Sequence, residues 1–467
     1  MQRFEYKDGK SSKFWEVEVE GDAVTFRYGK IGTDGRVETK TFASAAKAEA
    51  EADKKIREKT KKGYVEVAAA APAADGGGAA KAGKKHSQCR HPTFEAAIVA
   101  NPDSEQHWQV YADWLESQGD PWGQRISLEI QRDKAKGPAK KQLDEQLTAL
   151  VDEQREHFYG KSLPKLLKAD DFDEVATVEW KYGLLRSVRV ASPEYDWSGT
   201  APATVLRALV ESPAARLLSA ITIGLMESEY PVSLNKGIDA ISKAGKLEAL
   251  TDLFIGDFEY PDEQEISWVA VGKVGKLFPA MPNLRSLHVR GGEIDLGTLE
   301  LPKLERLLIE TGGLPKAAVA SVGKCKLPAL TSMEVWFGRD EYGGNGKVSQ
   351  LAPLFTGAGL PKLTHLGLKN CEFQDDIAIA LAKSKILAQL RSVDMSMGTL
   401  HEPGVEAILA NAEAFSHLES LDLRENYISD ALAERLSKAF GAKVDWSDQD
   451  EPDEWDDERH YYTTVGE

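Results

Sequence analysis

The sequence predicts an α/β solenoid, a horseshoe of stacked strand-and-helix units, preceded by a small α+β domain and a short α-helical cap. Three observations carry this prediction. One short phrase (Leu, two residues, an apolar, one residue, an apolar) recurs nine times between Leu185 and Leu423. Segments of helical period lie between the recurrences. A different, alternating pattern followed by a low-complexity stretch fills the first 85 residues. At 467 residues the chain has room for two to four structural units.

Taken in order, the first element is residues 1–67. FWEVEVE (14–20) alternates apolar and charged residues, with Trp15, Val17 and Val19 on one side. Gly21-Asp22, then VTFRYGKIG, then Thr33-Asp34-Gly35, then RVETKTF predict three antiparallel strands joined by tight turns. Ser44 caps an alanine- and charge-rich helix that stops at Gly63. Together KFWEVEVEG, YGKIGTDG and the closing EKTKKGY make this region resemble a WGR domain, from Arg3 to about Val67. The name-giving Trp-Gly-Arg stands here as Tyr28-Gly29-Lys30. In poly(ADP-ribose) polymerases such a domain binds DNA ends and relays the signal to a neighbouring domain. The resemblance implies that Tyr28 stacks on a sugar or base, and that Lys30 meets a phosphate or a partner carboxylate.

Lys13, Arg27, Lys30, Arg36 and Lys40 are the candidate phosphate-contacting set for DNA or RNA, although Glu16, Glu18, Glu20 and Glu38 share their strands. Tyr28 shares parity with Val24 and Phe26, so its alternative place is the core. With 15 Lys/Arg against 13 Asp/Glu the head carries a net of only +2, which predicts modest, salt-sensitive affinity. Nothing in the chain resembles a polymerase catalytic domain, so ADP-ribosyl transfer is not implied.

Residues 68–90 are expected to be a linker, since AAAAPAADGGGAAKAGKK (68–85) has no apolar period and buries too little to offset its ordering entropy. His86, Cys89 and His91 follow, but their spacing matches no common zinc site, and no metal is assigned to them. Residues 91–160 carry apolar marks of three short helices: Phe94, Ile98 and Val99; Trp108, Tyr111, Ala112 and Leu115; Ile126, Leu128 and Ile130. A further helical stretch runs to about Phe158. The ANPD…YADWLE…GDPWG run resembles a bacterial repeat-companion domain that often precedes leucine-rich repeats. A polar terminal unit ends a hydrophobic stack, so a cap is expected here.

Residues 161–444 hold the recurring phrase. Its first leucines are spaced by 33, 32, 34, 20, 26, 33, 27 and 28 residues, the range of a leucine-rich repeat with a helical return limb. Cys371 and Asn426 stand nine places into two of the phrases, where a side chain meets otherwise unpaired backbone at the turn. This region resembles the ribonuclease-inhibitor-like class of leucine-rich repeats. Several middle repeats carry Gly292, Gly312, Gly338 or Gly398 instead.

Such a fold offers a long curved surface and no catalytic pocket. Phe254, His288, Leu308 and Trp336 fall at outward positions of neighbouring repeats, with Arg290, Glu310, Glu334 and Lys369 around them. An apolar centre with a charged rim is the pattern of a protein-binding hot spot. The alternative is that Trp336 and Phe337 tuck under the loop 338–349. Residues 445–467 hold ten acidic groups and one Arg, together with Trp446, Trp455, Tyr461 and Tyr462. Three readings stay open for this end: an unstructured tail, a C-terminal cap on the last repeat, or an intramolecular competitor of nucleic acid.

The sequence contains no GxxxxGK[ST], nucleophile elbow, HExxH or CxxC, so neither an enzyme nor a cofactor is expected. No apolar run approaches a membrane span, no signal-peptide core opens the chain, and three cysteines make no disulfide framework. A cytoplasmic, non-enzymatic adaptor for an unidentified protein partner is the expectation. Its alternative is a DNA-end-binding protein whose repeats recruit an effector.

Overall fold

The computed structural model describes residues 2–7, 12–30, 36–62, 64–67, 88–194, 197–227, 232–455 and 458–466. The chain divides into two compact units, Met1–Lys84 and Lys85–Glu467. The expected Thr33-Asp34-Gly35 turn, Gly63 and the linker residues 68–87 lie outside the described residues.

In the first unit five strands form one antiparallel sheet: β1 (Gln2–Lys7), β2 (Ser12–Glu20), β3 (Ala23–Lys30), β4 (Arg36–Thr41) and β5 (Val65–Val67), in the order β4-β3-β2-β1-β5. Two of these, β1 and β5, exceed the expected three. Their signal is weak because β1 holds only Phe4 and Tyr6 between charges and β5 is three residues long. Helix α1 (Ala45–Lys61) starts at Ser44, whose hydroxyl accepts from the Lys47 N–H at 3.4 Å. Its Ala48 and Ala52 are small enough to let the helix close on Trp15, Val17, Val24 and Phe26, with Phe4 beside them.

The second unit is built on an eleven-stranded sheet. All nine phrases are strands in it, from Leu184–Val190 through Asp252–Ile255, Ser286–Arg290, Arg306–Glu310, Ser332–Gly338 and His365–Cys371 to Ser420–Asp422. These nine run parallel and in chain order. Ala176–Lys181 pairs antiparallel at one edge, and Val444–Asp445 adds a parallel strand at the other. The three apolar positions of every phrase are at most 2% exposed. Fully burying one such side chain is worth about 1.5–3 kcal/mol, so the phrase supplies the cohesion between successive units. Return helices such as Gln374–Leu381 and Asp430–Phe440 cover the buried face through Ile377, Leu381, Leu432 and Leu436. Asn426 is fully buried; its amide donates to the carbonyls of Met395 and Leu423 and accepts from the Leu400 N–H at 2.9 Å. A small second sheet (Val232–Ser233, Val269–Lys273, Gly292–Asp295) was not expected from the sequence.

Ahead of the sheet lie helices Pro92–Ala100, Glu105–Ser117, Pro121–Lys134 and Gly137–Glu153. Trp108, Tyr111, Leu115, Trp122 and Ile126 are essentially fully buried and belong to the same core as the strands. A buried polar network ties this part together. Asp120 accepts from the N–H groups of Cys89 (2.9 Å) and Trp122 (3.0 Å) and meets His157 at 2.7 Å. Glu95 takes the Tyr111 hydroxyl at 2.6 Å and a bidentate contact from Arg90, while Arg216 donates to the Cys89 carbonyl at 3.0 Å.

These contacts correct one boundary: residues 88–90 belong to the folded unit and not to the linker assigned to 68–90, because Gln88, Cys89 and Arg90 each satisfy a polar group of the helices. The acidic end is likewise folded where it is described. Asp453–Trp455 and Glu458–His460 form a two-stranded ribbon, and residues 461–466 return across the repeats, with Val465 buried.

Candidate functional site

Strand register lines up the outward positions of the second unit. Phe254 lies opposite His288, His288 opposite Leu308, Leu308 opposite Glu334, and Glu334 opposite Gly367 and then Asp394. One step along the strands, Arg290 lies opposite Glu310 and Trp336 opposite Lys369. All eight sequence-selected residues therefore form two adjoining rows on the sheet face opposite the core, and each is half-buried. Phe337 turns the other way into the core, 5.4 Å from the Phe373 ring, so it separates from Trp336 by simple strand alternation.

The rows are internally wired. The Phe254 and His288 rings stack at 3.8 Å, and His288 Nε2 lies 2.5 Å from Glu310 Oε2. Arg290 donates to the same oxygen through Nε at 2.8 Å and to the Phe258 carbonyl through Nη1 at 2.7 Å. Burial opposes charge on Glu310, but the bonds from His288 and Arg290 outweigh it and hold the carboxyl below its usual range. Lys369 bridges Asp394 (3.0 Å) and Glu334 (3.3 Å), and its ammonium stands 6.0 Å from the Trp336 ring centre. Burial likewise opposes its charge, yet Asp394 and Glu334 raise its pKa. Asp394 falls at an outward position by the same alternation but was not selected for the site; strand pairing sets it beside Gly367 and within reach of Lys369.

Such an arrangement ties apolar and charged side chains to one another on one face, which lowers the entropy their further ordering would cost. Among the described residues no group of three or more His, Cys, Asp or Glu side chains is placed to hold a metal. Cys89 and His91 serve the helices: the His91 ring stacks on Phe94 at 3.8 Å and caps that helix. His86 lies outside the described residues.

On the head, register puts Tyr28 opposite Trp15 on one side and Arg36 on the other. It stays 38% exposed although it shares the core face, because it sits beyond the buried pair Phe26 and Trp15. Lys13, Arg36 and Lys40 are exposed on the same face, Lys40 at 3.0 Å from Glu38. Lys30 ends β3 opposite Lys13, and its side chain lies outside the described residues. Arg27 is a correction. Alternation turns it to the opposite face, where it holds the buried Glu16 at 2.5 Å, so it does not join the candidate set. Lys59 is a residue the sequence reading missed. Its ammonium lies 5.6 Å from the Trp15 ring centre and 5.0 Å from that of Tyr64. Burial, with Lys62 and Lys55 nearby, lowers its pKa.

Comparison with known proteins adds the following. The WGR domain family matches residues 1–71, and the Leucine Rich repeat family matches residues 359–382. The Escherichia coli K12 proteins named "Uncharacterized protein YfeS" and "Protein YehF" are each 47% identical, over 64 and 68 residues. Those matches cover 14% and 15% of this chain, and only about a quarter of each relative's own length (26% and 25%). A Bacteroides fragilis protein of known crystal structure is similar over 99% of both chains, at 25% identity and a TM-score of 0.50. No helix among the described residues is long and apolar enough to cross a membrane. The chain thus carries a WGR domain at residues 1–71 and a leucine-rich repeat at residues 359–382.

Proposed function

We propose that this protein is a non-enzymatic adaptor whose repeats stack as a horseshoe solenoid and bind a partner protein through the face carrying Phe254, His288 and Trp336. The helical residues 91–160 serve as its N-terminal cap, in the manner of a repeat-companion domain. The carrying observation is the in-register ladder. Eight residues chosen for their outward positions meet on one half-buried face, with apolar and charged side chains interleaved in two adjoining rows. Truncating central aromatic anchors usually removes most of an interface's affinity. The full-length Phe254→Ala/Trp336→Ala variant should therefore capture its partner from host lysate at least about tenfold less well than the parent, at an unchanged melting temperature. Equal capture by a folded double variant would move the binding surface elsewhere.

A second reading rests on the exposed Tyr28 beside Lys13 and Arg36, in a domain of the WGR family. In this reading the head binds DNA ends or structured nucleic acid, and the repeats recruit an effector. The full chain should be titrated with nicked, blunt and single-stranded DNA at two salt concentrations. The expected result is salt-dependent binding that Tyr28→Ala weakens by roughly tenfold, the value of one stacked base. Binding no tighter than about 10⁻⁴ M for every DNA form removes the reading.

A further inference from the structure

We propose that residues 461–466 are a peptide ligand bound in cis, and that the groove they fill accepts the same segment from a second copy of this chain. The inference stands apart from the binding face above, since it concerns the turns at the strand ends.

Successive repeats read this segment through its backbone. Asn370 is fully buried, yet its amide both donates to the Val465 carbonyl (2.6 Å) and accepts from the Val465 N–H (2.9 Å). The Met397 carbonyl accepts from the Thr464 N–H at 3.1 Å. The Tyr427 hydroxyl donates to the Tyr462 carbonyl and accepts from its N–H, both at 2.9 Å. The segment therefore runs against the order of the repeats, which hold Tyr462, Thr464 and Val465 by their backbone groups, one residue per repeat. Side chains add grip: Val465 is buried, and the Arg339 guanidinium lies 4.7 Å from the Tyr462 ring centre.

What precedes the segment is different in kind. The described residues 447–460 are largely exposed and strongly acidic; Ser447, Gln449 and Asp450 hydrogen-bond to the last repeat, and the described residues after them form only the small ribbon already noted. So the docked segment is joined to the rest by a connection with little core of its own. Reorienting that connection delivers the same contacts to a neighbouring copy, the usual low-cost route to exchange. In cis the effective concentration of the segment is in the millimolar range, so exchange becomes visible when one copy's own segment is absent.

Two complementary full-length-derived chains test this. Asn370→Gly removes the amide and tolerates the backbone's φ of +47° at that position, while a chain ending at residue 460 keeps the groove and lacks the segment. Mixed at about 100 μM, they should form a heterodimer by light scattering, while each alone stays at the mass of the parent. In parallel, a labelled peptide of residues 458–467 should bind the full-length Val465→Asp variant, whose own segment is released, at least about tenfold more tightly than it binds the parent. A heterodimer establishes the exchange. Peptide capture without a heterodimer overturns the second copy as occupant. Neither signal, in chains that melt cooperatively, overturns the groove itself.

Discussion

Replacing Gly338 by alanine should cost the second unit about 3–5 kcal/mol, as much as truncating a large core side chain. Two causes add at this position. The backbone φ is +64°, a conformation that costs an L-residue about 1–2 kcal/mol. A Cβ there would also overlap the carbonyl of Gly312, which is backbone and cannot swing aside. Two segments of the chain touch here because Gly313 bridges to Gly338 and the Arg339 N–H donates to the Gly312 carbonyl at 2.7 Å. Gly343 separates the causes, since it is left-handed with a φ of +93° but the nearest atom to a Cβ placed on it is 4.0 Å away. In urea unfolding Gly343→Ala should lose only about 1–2 kcal/mol. Equal losses for the two variants would show that close approach at Gly338 contributes nothing.

Asp120→Ala should be the most damaging change among the helices that precede the sheet, at about 3 kcal/mol near neutral pH. Its buried carboxylate is the acceptor for two backbone N–H groups and the partner of His157. It also caps the helix Pro121–Lys134. Burial opposes its charge, but His157 and the N–H groups of Cys89 and Trp122 overcome that and depress its pKa below the ordinary 3.8. The sign follows from that direction. A carboxyl depressed in the folded state stabilises at pH values above its ordinary pKa, and this stabilisation is lost as pH falls through the depressed range. The gap between parent and variant should thus be full at pH 7 and narrow toward pH 3. Asp120→Asn, which keeps an acceptor oxygen, should lose less. A gap that stays constant with pH would mean that the charge of Asp120 is not what the site uses.

The return helices and the nine strands were legible because burying one face of each element imposes a period that local sequence displays. Leu304, Leu307 and Ile309 announce a strand whatever lies beside them, and all three are at most 2% exposed. The outward residues Phe254, His288 and Trp336 followed from the same alternation, since a strand that hides one face must present the other. Strands β1 and β5 did not follow, because pairing with a neighbour, not their own apolar pattern, makes them strands.

Partnership across the chain was beyond the sequence. Alternation alone turns Arg27 away from Tyr28, but its ion pair with the buried Glu16 needs a strand register that no local pattern supplies. The phrase period determined this protein's sheet, because apolar burial is local in its pattern and non-directional in its force. Tertiary structure alone decided which polar groups meet, as Asn370 and Val465 do across 95 residues. A hydrogen bond depends on distance and direction between atoms, and no spacing along a chain encodes either over such a separation.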